Sequence, residues 1–430
     1  MLIDFTIKNF RSLKNEEILS AEAGNRLRKF NDENTIAIHN TRILKNLLLF
    51  GPNGSGKSNL LAGLEIMKNM ILNPPSKVVT KLPYQPFIFS NESLEPTFFK
   101  TVFTYKDKKY SYSFSYNSNE IITEKLSVLN GNKKKPYFER HRNKFTIIPK
   151  SLKSIGAQTK KNSLFLYNAQ NANDPVSSNV MEWFNNNLVF FDEFSISEDM
   201  KKLLYIPEIK DSLVKFLKFA DINIEDLKLQ QVNVPPFPEK IREFIESSGG
   251  KVPDSPTVLQ IMTLHKTYDE NGNYISDKLW NIDDESTGTK KIFLIALSLI
   301  YAKKYGDDKT LIFDEFDSNL HVELSKALIK IFNSNYNKSQ IISTTHELNL
   351  LDKKNLRIDQ IYLLEKDFRG ISNLKSIFDF KDPKKRADLN FVKWYIKGIY
   401  GAYPQIDVKE MLRSLNSISK MGEQQNGKKS

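Results

Sequence analysis

The 430-residue sequence contains no cysteine, and this absence excludes several kinds of chemistry. Without thiols the chain can form no disulfides, no cysteine-ligated zinc sites and no thiol nucleophile. A chain that needs no disulfide suits a reducing compartment, so we expect a cytoplasmic protein. Histidine is also scarce, and its five residues are too scattered to predict the clustered metal centre of a nuclease.

Long apolar runs are missing as well. The apolar stretch Ile292–Ala302 is about half of the roughly 20 residues that a membrane helix needs, so it predicts a core helix. The opening MLIDFTIKNF lacks the basic segment and apolar core of an export signal. With 40% hydrophobic and 27% charged residues, the chain has the composition of an ordinary globular protein, long enough for two or three compact units. We expect no membrane association.

The charge balance is basic, with a formal net charge of +12. An excess of this size favours a polyanionic partner such as nucleic acid. Much of it is scattered lysine, however, which is typical of an ordinary solvated surface. Charge alone therefore leaves nucleic-acid binding open.

The period of the apolar residues changes along the chain. Between about Thr97 and Ile148 it is two, which predicts an antiparallel meander with turns at Lys106-Asp107 and Asn130-Gly131. Within it, the stretch KYSYSFSY places alternate aromatic residues on one face. Such a row can stack on nucleic-acid bases, but it more often forms the core face of a sheet. The aromatic residues are Tyr110, Tyr112, Phe114 and Tyr116.

Two regions with different sequence patterns follow the meander. Residues 151–256 are asparagine-rich with helical spacing and are bounded by prolines, which predicts an inserted helical subdomain. Strand and helix patterns then alternate, which predicts a parallel sheet. The alternating segments are Thr257–Tyr268, Lys291–Lys304, Thr310–Phe313, Val322–Asn333 and Gln340–Thr344. The predicted units are 1–150, 151–256, 257–377, and a C-terminal extension at 378–430 that ends in a disordered tail.

A phosphate-binding motif lies between a predicted strand at 47–50 and a predicted helix. Its sequence GPNGSGKS matches GxxxxGK[ST], in which glycines let backbone N–H groups surround the phosphates of a nucleotide. The motif predicts ATP and Mg²⁺ as ligands, with Lys57 reaching the β- and γ-phosphates and Ser58 offering its hydroxyl to the metal. The residues are Gly51, Pro52, Asn53, Gly54, Ser55, Gly56, Lys57 and Ser58.

Two apolar strands end in an acidic pair of the kind that holds a metal and a water. LVFFDEFS carries Asp192-Glu193, and LIFDEFDSNLH carries Asp314-Glu315. The second pair stands between a polar turn that opens the apolar helix and a strand that ends in Thr344-Thr345-His346. The first pair has no such neighbours. We therefore expect Asp314-Glu315 to act on the nucleotide and the pair at 192–193 to be structural.

In this order the motifs resemble the ABC-type ATPase head of SMC-like and RecF-like proteins. The resemblance implies an α/β fold: an ABC-type P-loop head with a mixed core sheet, an antiparallel β lobe and an inserted helical subdomain. It also implies that Asp314 holds Mg²⁺ through water and that Glu315 polarises the attacking water. It implies that His346 is the switch histidine, that Asp317 belongs to the D-loop and that Gln85 is the Q-loop glutamine. It implies a signature loop that acts on a second copy, formed by Ser286, Thr287 and Gly288. It also places Arg11 and Ser12, of the opening NFRS, near the nucleotide.

Two of these residues have simpler readings, and the signature departs from the usual pattern. Ser286 can be an ordinary helix N-cap, although a cap does not explain its spacing to the acidic pair. His346 can be a satisfied structural histidine. Compared with the common LSGGQ signature, Thr287 replaces the first glycine and Thr289 the glutamine.

Over its whole length the chain resembles the RloA/AbiLi-like AAA-family ATPases of bacterial abortive-infection systems, a family similar to the ATPase subunit of PARIS-type defence. The resemblance rests on DESTGTKK at 284–291 and on a C-terminal motif at 386–404. It implies a homodimer or higher homo-oligomer joined through ATP, and a small TOPRIM-fold, RloB-like effector as partner. Because only 84 residues follow His346, we expect no fused TOPRIM nuclease of the OLD type.

Three functions remain open from the sequence. The first is a defence ATPase whose nucleotide state holds or releases a nuclease-like partner. The second is a RecF-like ATPase of DNA maintenance that acts on DNA directly. The third is a nucleotide-gated assembly scaffold with negligible turnover.

Overall fold

The computed structural model describes residues 1–38, 41–90, 95–131, 133–191, 196–233, 238–239, 242, 257–306, 308–380, 391–398 and 407–414. The strands are β1 (Leu2–Lys8), β2 (Glu17–Ser20), β3 (Thr35–Ile38), β4 (Thr41–Leu44), β5 (Asn46–Phe50), β6 (Thr97–Tyr105), β7 (Lys108–Tyr116), β8 (Ile121–Asn130), β9 (Lys133–His141), β10 (Lys144–Ile147), β11 (Leu188–Phe191), β12 (Asp226–Asn233), β13 (Thr257–Tyr268), β14 (Tyr274–Asn281), β15 (Thr310–Phe313), β16 (Gln340–Thr345), β17 (Ile361–Lys366) and β18 (Ser372–Ser376). The helices are α1 (Lys57–Leu72), α2 (Lys153–Gln158), α3 (Phe165–Asn171), α4 (Pro175–Glu182), α5 (Glu198–Lys202), α6 (Pro207–Phe219), α7 (Thr287–Tyr305), α8 (Val322–Asn333) and α9 (Phe391–Ile396).

The core sheet has the order β11-β15-β16-β5-β17-β18. Its pairs are parallel except for β17 with β18. Strands β5, β15 and β16 are buried along their whole length, as expected for a parallel sheet covered on both faces. The mixed α/β core that the sequence predicts is therefore confirmed, and the phosphate-binding strand β5 lies in its interior.

Strand β11 joins this sheet from within the predicted helical insertion. It pairs in parallel with β15, with Leu188 opposite Thr310 and Phe191 opposite Phe313. The rings of Phe191 and Phe313 stack with centroids 5.0 Å apart. The insertion thus supplies an edge strand to the core as well as helices α2 to α6. The acidic pair at 192–193 that follows β11 lies outside the described residues.

A second, antiparallel sheet forms the predicted β lobe, with the order β10-β9-β8-β7-β6-β1-β2. The aromatic residues Tyr110, Tyr112, Phe114 and Tyr116 are fully buried, so the row is a core face, not a surface for stacking bases. The turn between β6 and β7 has φ of 46° at Lys106 and 57° at Asp107, the conformation that joins tightly paired strands.

A buried ion pair ties the lobe to the helices beside it. Glu124 on β8 accepts hydrogen bonds from Arg140 Nε at 2.8 Å and from the Tyr112 hydroxyl at 2.9 Å. The same carboxylate accepts from the backbone N–H groups of Phe165 and Leu166, at the start of α3. Because every partner is satisfied, the charge is tolerated in the core.

The third sheet is β12-β13-β14, and β13 and β14 form a long hairpin that leads into α7. Residues Tyr274–Trp280 of β14 are exposed. Helix α7, which contains Ile292–Ala302, packs into the core as predicted. Among the described residues no helix is both long and apolar enough to cross a membrane. The predicted tail and most of the motif at 386–404 lie outside the described residues.

Candidate functional site

The phosphate-binding loop leaves β5 at Gly51 and enters α1 at Lys57. Gly56 has φ of 109°, and a Cβ at this position would collide with the side chain of Ser372. Glycine is therefore required by both the backbone conformation and the space. The Ser372 hydroxyl donates to Ser55 O at 2.6 Å, so β18 supports the loop from behind.

Lys57 is buried and is held by weak partners. Its Nζ donates to Gly51 O at 2.8 Å and Pro52 O at 3.2 Å, and its side chain is almost fully covered. Burial lowers the pKa of Lys57 to about 8, although the nearby carboxylates of Asp314, Glu315 and Asp317 oppose that shift. An ammonium whose partners include neutral carbonyls gains when an anion replaces them.

The loop fits a polyphosphate in a second way. Ser55 Oγ is buried and has no hydrogen-bond partner within the described part of the chain. A buried polar atom without a partner is costly unless a ligand or water satisfies it. The hydroxyl of Ser58 and the carboxylate of Asp314 are hard oxygen donors, which suit Mg²⁺.

One hydroxyl organises the acidic pair at the end of β15. Thr344, fully buried on β16, donates its hydroxyl hydrogen to Asp314 Oδ1. Thr344 Oγ1 also accepts the backbone N–H of Glu315 at 2.6 Å. Glu315 has φ of 47°, a conformation that a non-glycine residue adopts only when its surroundings hold it there. Thr344 thus fixes both acidic residues.

Thr345 holds the next acidic residue in the same way. Its hydroxyl donates to Asp317 Oδ2 at 2.6 Å. Burial raises the pKa of the Asp317 carboxyl, and the Thr345 hydrogen bond opposes that rise.

His346 links the phosphate-binding loop to the acidic pair. Its Nδ1 lies 3.2 Å from Lys57 Nζ, and its Nε2 lies 3.3 Å from Glu315 Oε1. An ammonium can only donate, so Nδ1 acts as the acceptor and Nε2 carries the hydrogen that faces Glu315. The structure therefore brings Lys57, Glu315 and His346 together, as the sequence predicts.

The predicted residues near the N-terminus form one network beside the loop. Arg11 Nε donates to Gln85 Oε1 at 2.7 Å, and its Nη1 donates to Asn59 Oδ1 at 3.3 Å. Asn59 Nδ2 in turn donates to Ser12 Oγ at 2.7 Å. Arg11 also lines a cleft of about 440 Å³, whereas Gln85 is not among the described residues that line it and contacts this arginine. The cleft is lined by Arg11, Ser58, Leu61, Ala62, Glu65, Phe190, Phe191, Ile312, Asp314 and Glu315.

The predicted signature loop lies elsewhere on the surface. Ser286 caps α7, its Oγ accepting Thr289 N–H at 3.1 Å, and both Ser286 and Thr287 are exposed. A Cβ on Gly288 would lie 2.7 Å from Asn319 O, so the start of α7 packs closely on the loop that follows Asp317. None of residues 286–288 is among the described residues that line the cleft.

Sequence reasoning missed the residues that hold the predicted ones in place. Thr344, Thr345, Asn59 and Ser372 are the clearest cases. The two threonines directly before His346 were the available signal, because a strand that ends at a site brings its last hydroxyls to the neighbouring strand tip.

The order β15-β16-β5 places the acidic strand next but one to the phosphate-binding strand, with His346 after the strand between them. A P-loop with these partners defines a P-loop ATP hydrolase. Residues 47–352 match the family described as "AAA domain, putative AbiEii toxin, Type IV TA system". The chain belongs to this family.

Solved SMC heads are similar in shape. An SMC head bound to the C-terminal winged-helix domain of ScpA matches with 12% identity and a TM-score of 0.42, covering 90% of this chain and 99% of that one. The SMC head domain of Thermotoga maritima matches with 11% identity and a TM-score of 0.39, covering 87% and 98%. A Pyrococcus furiosus SMC head with an extended coiled coil, bound to the C-terminal domain of ScpA, matches with 12% identity and a TM-score of 0.43, covering 87% and 96%. No curated protein matches the sequence.

Proposed function

We propose that the chain binds ATP with Mg²⁺, closes head to tail on a second copy, and opens when ATP is hydrolysed. Gly51–Gly56 and Lys57 hold the phosphates, and Ser58 and Asp314 hold the metal, which neutralises phosphate charge when it is bound. Glu315 polarises the attacking water, and His346 orients that carboxylate. Arg11, Ser12 and Gln85 support the nucleotide side of the cleft, while Ser286, Thr287, Gly288 and Asp317 face the nucleotide of the other copy.

One observation carries the proposal: the capped start of α7 is exposed, and its residues do not line the cleft beside their own P-loop. A helix N-terminus with free N–H groups favours an anion. On one copy that anion site stands apart from the cleft, so it suits a phosphate held by another copy. ATP then stabilises the closed dimer because it binds the closed state more tightly than the open one.

The contacts of the site indicate which atom takes part in phosphate binding and in activation of the water. When phosphate arrives, Lys57 Nζ exchanges the carbonyls of Gly51 and Pro52 for phosphate oxygens. Glu315 can then draw a proton from water, while His346 Nε2–H donates to the same carboxylate and fixes its direction. Catalysis of this kind rests on position and charge.

The test combines a variant that binds ATP but hydrolyses it slowly with a variant that blocks the surface around Ser286. Glu315→Gln should bind ATP, hydrolyse it about 10²-fold more slowly or worse, and accumulate dimers in sedimentation velocity. Ser286→Arg in that background should abolish the dimers but keep ATP binding. Ser197→Arg is the matched control, because Ser197 is also an exposed serine cap, at the start of α5. Dimers that survive Ser286→Arg would contradict closure through this loop, and cellular function unchanged by Glu315→Gln would indicate a scaffold.

We further propose that this ATPase is the sensor or regulatory subunit of an anti-phage abortive-infection system with a TOPRIM-like nuclease as partner. The family description, which names an AbiEii toxin and a toxin–antitoxin system, supports this role, as does the resemblance carried by DESTGTKK. Co-expression with the product of the neighbouring gene should give a complex whose stability depends on ATP. Lys57→Ala should abolish both that dependence and phage resistance, and an intact complex with normal resistance would contradict the proposal.

Direct action on DNA is the second candidate, and a cluster of lysines favours it. Lys134 on the antiparallel lobe senses the charges of Lys100 and Lys125: burial and these two charges lower its pKa, while Glu139, which pairs with Lys125 at 2.6 Å, opposes the shift. Lysines that repel one another gain from a polyanion. If DNA binds there, replacing all three with glutamate should abolish duplex binding in fluorescence anisotropy. Replacing Lys303 and Lys304, at the far end of α7, should not.

A further inference from the structure

The loop in front of α7 is anchored from behind by the β13–β14 hairpin. Glu285 Oε1 accepts a hydrogen bond from the Thr263 hydroxyl at 2.7 Å, and it lies 2.7 Å from His265 Nε2. Thr263 is fully buried, and the side chain of Glu285 is only 13% exposed. Both partners lie on β13, whereas Glu285 directly precedes the cap Ser286. The hairpin therefore holds the residue next to the anion site.

This position creates an electrostatic conflict. Carboxylates are attracted to helix N-termini, where they satisfy free N–H groups and the helix dipole. A free Glu285 carboxylate could thus occupy the start of its own helix and repel an incoming phosphate. Asp283 and Asp284 also precede the cap, but both are exposed to solvent, which screens their charges. Of these three acidic residues, Glu285 is the mostly buried one, and it directly precedes the cap.

We propose that His265 and Thr263 are positioning residues that hold the Glu285 carboxylate away from the start of α7, so that this site accepts the phosphate of a second copy. This inference rests on the head-to-tail closure proposed above and names the contact that keeps the anion site free for it. Separation of His265 from Glu285 would free the carboxylate to move toward α7 and oppose closure.

The test is a double-mutant cycle made in the Glu315→Gln background. His265→Ala should release the carboxylate and raise the protein concentration for half-dimerisation about tenfold, which corresponds to ~1.4 kcal/mol. Glu285→Gln removes the charge and should change that concentration less than about threefold. The double variant His265→Ala/Glu285→Gln should recover to the Glu285→Gln value, since no charge remains to be released.

Two controls separate positioning from damage to the hairpin. Thr267→Val removes a hydroxyl on the same strand that bonds Ser276 across the hairpin at 2.9 Å and does not touch Glu285, so closure should not change. ATP affinity of the monomer should be equal in all variants, because the site acts on the other copy. Recovery in the double variant is the result that a merely structural contact would not produce.

Contradictory results fall into distinct classes. Normal dimerisation of His265→Ala would overturn the positioning role, and a double variant as weak as His265→Ala would show that the contact only supports the fold. If Ser286→Arg also dimerised normally, the proposed closure itself would be wrong.

Discussion

Replacing Thr344 with valine should uncouple the acidic pair from the core sheet while leaving the phosphate-binding loop intact. Valine keeps the shape of threonine and its preference for strands, so β16 should retain its packing. The substitution removes one hydroxyl that donates to Asp314 and accepts the N–H of Glu315. In the part of the chain that the structure describes, that hydroxyl makes no hydrogen bond to Gly51–Ser58.

The size of the effect follows from those two bonds. A hydrogen bond to a charged group contributes about 1.5–3 kcal/mol, and a buried N–H without a partner costs about 1–3 kcal/mol. Glu315 at φ of 47° loses the bond that holds this conformation, so its backbone can relax and move the carboxylate. If about 2.7 kcal/mol of this total is lost from the transition state, kcat falls about 10²-fold. KM for ATP should change much less than kcat, since Gly51–Lys57 still hold the phosphates.

Steady-state ATP hydrolysis of Thr344→Val, Thr344→Ser and the parent protein is the measurement, with folding checked by circular dichroism. Serine keeps the hydroxyl and should recover most of kcat. A folded Thr344→Val protein with kcat within about threefold of the parent would refute the idea that this hydroxyl positions Glu315.

The other predictions concern protons and the buried ion pair. Because burial lowers the pKa of Lys57 to about 8 and bound phosphate would raise it again, ATP binding above pH 8 should take up a proton. Affinity in a titration with a fluorescent ATP analogue should then be flat below pH 8 and fall up to about tenfold per pH unit above it. Burial raises the pKa of Glu17 from 4.5 to about 7, and the hydrogen bond that its carboxylate accepts from the Leu374 N–H opposes this rise. Between these two pH values the folded state therefore binds a proton that the unfolded state has lost. Its contribution to stability is therefore greatest below pH 4.5 and falls by about 3 kcal/mol as pH rises to 7, and thermal melts of Glu17→Gln should lack this decline. Arg140→Leu should leave the buried Glu124 carboxylate without its cationic partner and lower the free energy of unfolding by about 3–5 kcal/mol in urea titrations. The ATP affinity of the folded fraction should not change.

The sequence predicted those parts of the fold that follow from local patterns. Strand β13, strand β15 and helix α8 have the predicted bounds, because a buried apolar run or a helical period marks each of them. Helix α7 begins at Thr287, four residues before the predicted start at Lys291, since the cap at Ser286 adds a polar first turn. The phosphate-binding loop was identifiable for a similar reason, as its chemistry lies in consecutive residues.

The features that could not be predicted from the sequence are those that depend on contacts between distant segments. Strand β11 pairs with β15 across more than a hundred residues, and no local pattern shows that a strand in a helical region belongs to another sheet. The bond between Arg11 and Gln85 likewise joins segments that only the fold brings together. The sequence placed Thr344 at the end of a strand beside His346, but the partners of its hydroxyl depend on which strand lies next to it.

The site is assembled at the tips of adjacent strands that come from distant parts of the chain, β5 before residue 51 and β15 and β16 after residue 309. Once these strands pair, the length of the connection between them matters little, since each doubling of a flexible loop costs only about 0.6 kcal/mol. Surface turns of the intervening chain that contribute nothing to the site or to the core sheet can therefore change in length without moving a catalytic atom. The order of the strands in the core sheet, and not their separation along the sequence, therefore sets the geometry of the site.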